Sequence, residues 1–193
     1  VYDGRNFFIN EENGTYCLYI AFRKAAVYED VDKPLYIEAL TDNIKVKLSP
    51  DGNDSADPDY RLNTGDYEYE YNGNTYKLTL DSEIEVGAGS RIYFKCIDKP
   101  MCVSSAYYRF IITSENTDAE VAVGGNLASM AKLDDSGLIQ QNEYYRLFQI
   151  NPLITDASRL YIGKIQDACC LGLFHQCNRL KTAPAILPCV ELK

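Results

Sequence analysis

The sequence predicts a mainly β protein: an antiparallel β-sandwich over residues 1–124, then, over 125–193, a short helix and two degenerate leucine-rich repeats with little other helix. Three observations carry this. Apolar and polar residues alternate at period two in many short stretches, which buries one face of a strand and leaves the other wet. Turn residues interrupt these stretches about every 8–12 residues, the spacing of sandwich folds, with a barrel as the alternative closure. Sixteen Tyr and no Trp in 193 residues suit strands, because a phenol ring fits a pleated, half-buried surface.

The elements follow in order. Phe7-Phe8-Ile9, the turn signal Glu12-Asn13-Gly14 and the run from Thr15 to Phe22 predict a hairpin. Arg23 to Pro34 is a mixed, charged connector. Leu35, Ile37 and Ala39 alternate with Tyr36 and Glu38, and Ile44, Val46 and Leu48 alternate with Lys45 and Lys47 across an Asp42-Asn43 turn. Residues 49–62, with Pro50, Gly52 and Pro58, form a polar loop. Tyr67, Tyr69 and Tyr71 then alternate with Glu68 and Glu70, and Asn72-Gly73 supplies the positive φ angles of a tight hairpin turn before Thr75 to Leu80 returns. Ile84 and Val86 continue the alternation, Gly87-Ala88-Gly89 turns, and Arg91 to Cys96, Tyr107 to Thr113 and Ala119 to Val123 complete the strands. Ile44, Val46, Ile84, Val86, Ile92 and Phe94 are expected to face inward. After Gly124-Gly125, Leu127, Met130, Ala131 and Leu133 follow helical spacing behind an Asn126 cap, which sets the expected domain boundary.

Composition excludes several classes. A formal charge of −9 without any Lys/Arg run argues against nucleic acid, whose backbone is bound by cationic neutralisation. No segment approaches the roughly 20 apolar residues of a membrane helix. The seven Cys, at 17, 96, 102, 169, 170, 177 and 189, are read first as small buried apolar residues. A Cys96–Cys102 bridge across the Pro100 loop is the alternative, and a zinc site lacks its paired spacings around the sole His175.

Signatures of catalysis are sparse. A nucleophilic triad would have to use His175, with no Gly-x-Ser-x-Gly turn to present a serine. Gly87-Ala88-Gly89 lacks the helix and Lys of a phosphate loop. No catalytic, cofactor-binding or metal residue is therefore expected, and the ligand-binding residues are unassigned. Asp51, Asn53, Asp54, Asp57 and Asp59 could ligate Ca²⁺, but their spacing is not that of an EF-hand, and a solvated acidic loop is the preferred reading. Tyr67, Tyr69 and Tyr71 could form an aromatic platform, although a stripe alternating with Glu reads first as a core face.

The last sixty residues contain a weak period. Tyr145-Arg146-Leu147-Phe148 precedes Leu153, Thr155 and Leu160, while Leu171-Gly172-Leu173-Phe174 precedes Leu180, Thr182 and Leu187, an offset of 26 to 27 residues. Such a period suits repeats that bury a face only by stacking on neighbours. The run from Phe174 through Cys177, Leu180, Thr182-Ala183-Pro184 and Leu187-Pro188 resembles the repeat of BspA-like surface proteins, departing from it at Gln176. Pro34 to Leu40, the Tyr69 to Asn74 hairpin, Ile84 to Phe94 and Gly125 to Met130 resemble stretches of the β domain that often precedes those repeats.

The resemblance implies an exported, Bacteroides-type, lipid-anchored cell-surface protein that binds or adheres to a host or matrix macromolecule and is not an enzyme. It implies a protein or glycan partner, and attachment to the outer membrane only through a lipid anchor outside this sequence. A carbohydrate-binding module of a glycan-capture system is the alternative, and a structural spacer the third reading. The resemblance also makes Cys177, Leu147, Phe148, Leu173 and Phe174 repeat core. Truncation near Gly125 is expected to leave a folded β domain, and residues 126–193 alone to fold poorly.

Overall fold

The computed structural model describes residues 7–12, 15–20, 30–50, 67–97, 108–130, 144, 146–162, 170 and 172–184. The chain is mainly β. β1 (Phe7–Glu12) and β2 (Thr15–Ile20) form the expected hairpin, an antiparallel pair of their own. The other strands are β3 (Leu35–Ala39), β4 (Ile44–Pro50), β5 (Tyr67–Tyr71), β6 (Asn74–Lys77), β7 (Ile84–Val86), β8 (Arg91–Cys96), β9 (Tyr108–Thr113), β10 (Val121–Asn126) and β11 (Ile154–Tyr161). Six of them form one sheet in the order β11-β10-β3-β8-β5-β6, and three form another in the order β7-β4-β9.

Alternation decides which faces meet. Leu35, Ile37, Ile92, Phe94, Tyr67, Val121 and Val123 of the larger sheet join Ile44, Val46, Leu48, Val86, Phe110 and Ile112 of the smaller one in a single buried cluster. Of the six residues expected to point inward, five are buried, and Ile84 is partly buried against the same cluster. The Asn72-Gly73 turn has φ angles of 51° and 74°, the left-handed pair that a two-residue hairpin requires.

The pairing differs from a self-contained antiparallel domain at one place. β10 pairs antiparallel with β3 but parallel with β11, so the larger sheet runs without interruption from the first half of the chain into the last sixty residues. The boundary expected between residues 124 and 125 falls inside β10. Gly124 and Gly125 are strand residues there, and their lack of a side chain serves packing: a Cβ on Gly124 would meet the Tyr36 hydroxyl, and one on Gly125 the Pro34 carbonyl. The first part of the expected short helix is a 3₁₀ turn, Leu127–Met130, with the Ala128 N–H donating to Asn126 Oδ1 at 3.0 Å, and its Ala131 and Leu133 lie outside the described residues. Its Ser129 accepts from Leu35 N–H and donates to the Phe94 carbonyl, tying β3 to β8.

Beyond β10 the period in sequence becomes a period in conformation. Arg146 and Gly172 both have positive φ (55° and 69°), as do Ile150 and Gln176 (55° and 62°). Leu147→Tyr144, Gln149→Arg146 and Ile154→Asn151 backbone bonds recur 26 residues later as Leu173→Cys170, His175→Gly172 and Leu180→Cys177. The two segments run side by side in the same sense, joined by a parallel Asp156–Thr182 bridge and by bonds from Phe148 N–H to the Leu173 carbonyl and from Ile150 N–H to the His175 carbonyl. Phe148 and Phe174 stack at 5.4 Å and 9°. Leu147, Phe148 and Leu173 are buried in the common cluster, with Phe174 packed against it.

Candidate binding face

The face of the six-stranded sheet turned away from the core carries a connected grouping of polar and aromatic side chains. Register lines them up in rows. One row crosses five strands as Glu70, Tyr93, Tyr36, Gly124 and Arg159, and a second crosses four as Arg91, Glu38, Ala122 and Asp156. In β3, β5, β8 and β10 period two places them there, each beside a core residue of its strand, whereas in β11 the register shifts against β10 bring Asp156 and Arg159, three residues apart, into the two rows.

Contacts knit the rows together. The Tyr36 hydroxyl donates to Asp30 Oδ2 at 2.7 Å, and the Arg91 guanidinium lies 4.4 Å from the centre of the Tyr36 ring. Arg91 Nε donates to Glu38 Oε2 at 3.0 Å, and Arg159 reaches the same carboxylate at 3.8 Å. Tyr93 meets the Tyr36 ring edge-on at 5.6 Å. Tyr36 is fully buried under these partners, while the Arg159 side chain is 51% exposed. Burial, then the bond to Asp30, pushes the Tyr36 phenol well above its ordinary range, so it stays a protonated donor at physiological pH. Planar guanidinium groups, carboxylates and phenol rings on one sheet face suit the recognition of another polar surface, with Arg and Tyr as its anchors.

The residues singled out in the sequence fall elsewhere. Tyr67 is fully buried, and Tyr69 and Tyr71 are half-buried against the core, so the stripe lies on the inner side of its strand. Tyr71 accepts the Gly87 N–H, and Tyr69 stacks at 5.1 Å on Tyr76 of β6, which is 45% exposed. His175 is exposed, beside the buried Cys177, whose thiol donates to the Phe148 carbonyl at 2.9 Å. Burial raises that thiol above its ordinary pKa. The acidic loop 51–59 lies outside the described residues, as does Cys102, the partner of Cys96 in the alternative reading of a bridge. Among the described residues no three His, Cys, Asp or Glu side chains gather as a metal set, and no helix is long and apolar enough to cross a membrane.

Sequence reasoning missed the Tyr36–Arg91–Glu38–Arg159 group. Alternation alone marks Tyr36, Glu38, Arg91 and Tyr93 as outward residues, so that part was findable. Arg159 joins them only through the parallel β10–β11 pairing, which no local pattern announces. No family model, no curated protein and no solved structure matches this chain.

Proposed function

We propose that this chain is a non-catalytic binding protein of a bacterial cell surface, of BspA-like build, with a sandwich region leading into leucine-rich repeats. It recognises a host or matrix macromolecule through the outer face of the six-stranded sheet. Lipid anchoring outside this sequence belongs to the same proposal. The observation that carries it is the 26-residue recurrence of paired positive-φ residues and backbone bonds, which supports stacked repeats. Such stacking extends a sheet face across successive units, the kind of surface repeat proteins use for binding. Arg159 and Tyr93 are its exposed and half-buried anchors.

A carbohydrate-binding module is the second reading. It is favoured by Tyr76, exposed and stacked on Tyr69, since an aromatic face at a sheet edge can receive a sugar ring.

The test is the purified protein on a glycan array and, in parallel, on immobilised host matrix extract with and without prior proteolysis of the extract. Protease-sensitive capture, lost in a Tyr93→Ala/Arg159→Ala variant of unchanged circular dichroism, is the expected result. Array binding lost in Tyr76→Ala would replace it with the carbohydrate reading. Binding to neither surface would leave a spacer.

A further inference from the structure

The contacts between the two 26-residue units have a counterpart one step earlier in the chain. Phe148 donates its N–H to the Leu173 carbonyl at 3.0 Å, and Phe110 of β9 donates its N–H to the Leu147 carbonyl at 2.8 Å. Cys177 Sγ donates to the Phe148 carbonyl at 2.9 Å, and Asn151, 26 residues before Cys177, donates through Nδ2 to the Phe110 carbonyl at 2.7 Å. The Phe110 and Phe148 rings stack at 5.6 Å and 19°, close to the 5.4 Å and 9° of Phe148 on Phe174. Phe110 thus stands to Phe148 as Phe148 stands to Phe174. Yet it lies 38 residues before Phe148, in a strand of the antiparallel smaller sheet, outside any period of the sequence.

We infer that β9 is the first rung of the stack: through the ring, N–H and carbonyl of Phe110, the antiparallel region presents an interaction surface built to receive a 26-residue unit, and Asn151 fits the first unit to it. The inference rests on the repeat reading. Its physical reason is that a stacked unit cannot bury its inner face alone, so the stack needs a non-repeating partner at its start.

One difference between the two interfaces explains the residue types. Ile150 N–H finds the His175 main-chain carbonyl at 2.9 Å, whereas Ile112 N–H, at the corresponding place on β9, finds Asn151 Oδ1 at 2.9 Å. At the first interface the side chain must supply both a donor and an acceptor, which an amide does. At the second the Ile150 N–H is already met by the His175 carbonyl, so a thiol serves: it donates to the Phe148 carbonyl, and its sulfur takes only a weak bond from the Asn151 main chain. Asn151 is 1% exposed, so a missing partner there leaves a buried polar group unsatisfied.

Amide hydrogen exchange on the full chain separates the possibilities, using Cys177→Asn and Asn151→Cys. Cys177→Asn should keep the Phe148 amide protected. Asn151→Cys should accelerate exchange at Ile112 selectively, with Phe110 still protected, because the thiol retains the donor and replaces a strong carbonyl acceptor by a weak sulfur one. Loss of Phe148 protection in Cys177→Asn would sink the repeat reading. If Cys177→Asn is tolerated while Asn151→Cys strips Phe110 and Ile112 alike, or disturbs neither, the repeat reading stands and the role of β9 is overturned.

Discussion

Gly124 looks like punctuation in the sequence and acts as packing space in the fold. The Tyr36 ring lies across β10 where any side chain on Gly124 would stand, since a Cβ there would run into the hydroxyl oxygen and the ring carbon that bears it. Gly124→Ala should therefore cost about 1–3 kcal/mol, as overpacking of a rigid site does. Tyr36→Phe, which removes the hydroxyl's bonds to Asp30 and Arg159, should cost about 0.5–1.5 kcal/mol for each bond lost. Urea denaturation monitored by circular dichroism measures both. Tyr36 also sets an alkaline limit. Its folded pKa lies above the unfolded value of 10.0, so the folded state holds the proton more tightly than the unfolded chain. The stabilisation is complete below that unfolded value and is lost as pH rises toward the folded one. Wild type should lose stability with pH above about 10 more steeply than Tyr36→Phe, which parallel denaturation series at neutral and alkaline pH will read. Equal slopes would mean that Tyr36 ionises as it does in the unfolded chain.

At the scale of elements, alternation and turn chemistry were sufficient wherever pairing is local. The Asn72-Gly73 hairpin and the inward set from Ile44 to Phe94 needed no more than period two and the demand for positive φ. Three features were not legible. The parallel β10–β11 pair joins segments separated by residues 127–153, and its register depends on packing of both faces. Arg159 acquires its partner Glu38 only through that pair. The aromatic series of Phe94, Phe110, Phe148 and Phe174, with successive centroids at 4.6, 5.6 and 5.4 Å, mixes residues from strands with residues from turns, so no single period reveals it. This series makes a graded prediction. Phe148, fully buried between two rings, should cost about 3–5 kcal/mol when replaced by Ala. Phe174, half-buried with a ring contact to Phe148 alone among the described residues, should cost clearly less. Thermal or chemical melts of the two variants check the order, and equal costs would show that the rings do not act as a stack.

The whole molecule joins the antiparallel region and the periodic segment at several points. They share the larger sheet through β10 and β11 and the buried cluster through Phe110, Leu147 and Phe148. On the surface, Arg179 donates to the carbonyls of Thr117, Asp118 and Ala119, and Lys181 meets Glu120 at 2.9 Å. The Lys181 bond holds the Glu120 carboxyl below its ordinary pKa, so this clasp weakens as pH falls through the carboxylate range. Cutting the chain near Gly125 would expose the β10 edge together with the Phe110 ring. The shared core predicts that such a fragment does not fold on its own, in contrast to the separable domain that the sequence suggests. The most direct test is native-state hydrogen exchange on the full chain as a function of denaturant. If the chain is one cooperative body, the amides of Phe110, Val121 and Phe148, which donate to the carbonyls of Leu147, Leu153 and Leu173, should open at the same free energy as Ile37 and Ile92 in the centre of the larger sheet. Opening of Phe110, Val121 and Phe148 at a much lower free energy, with Ile37 and Ile92 still protected, would contradict it.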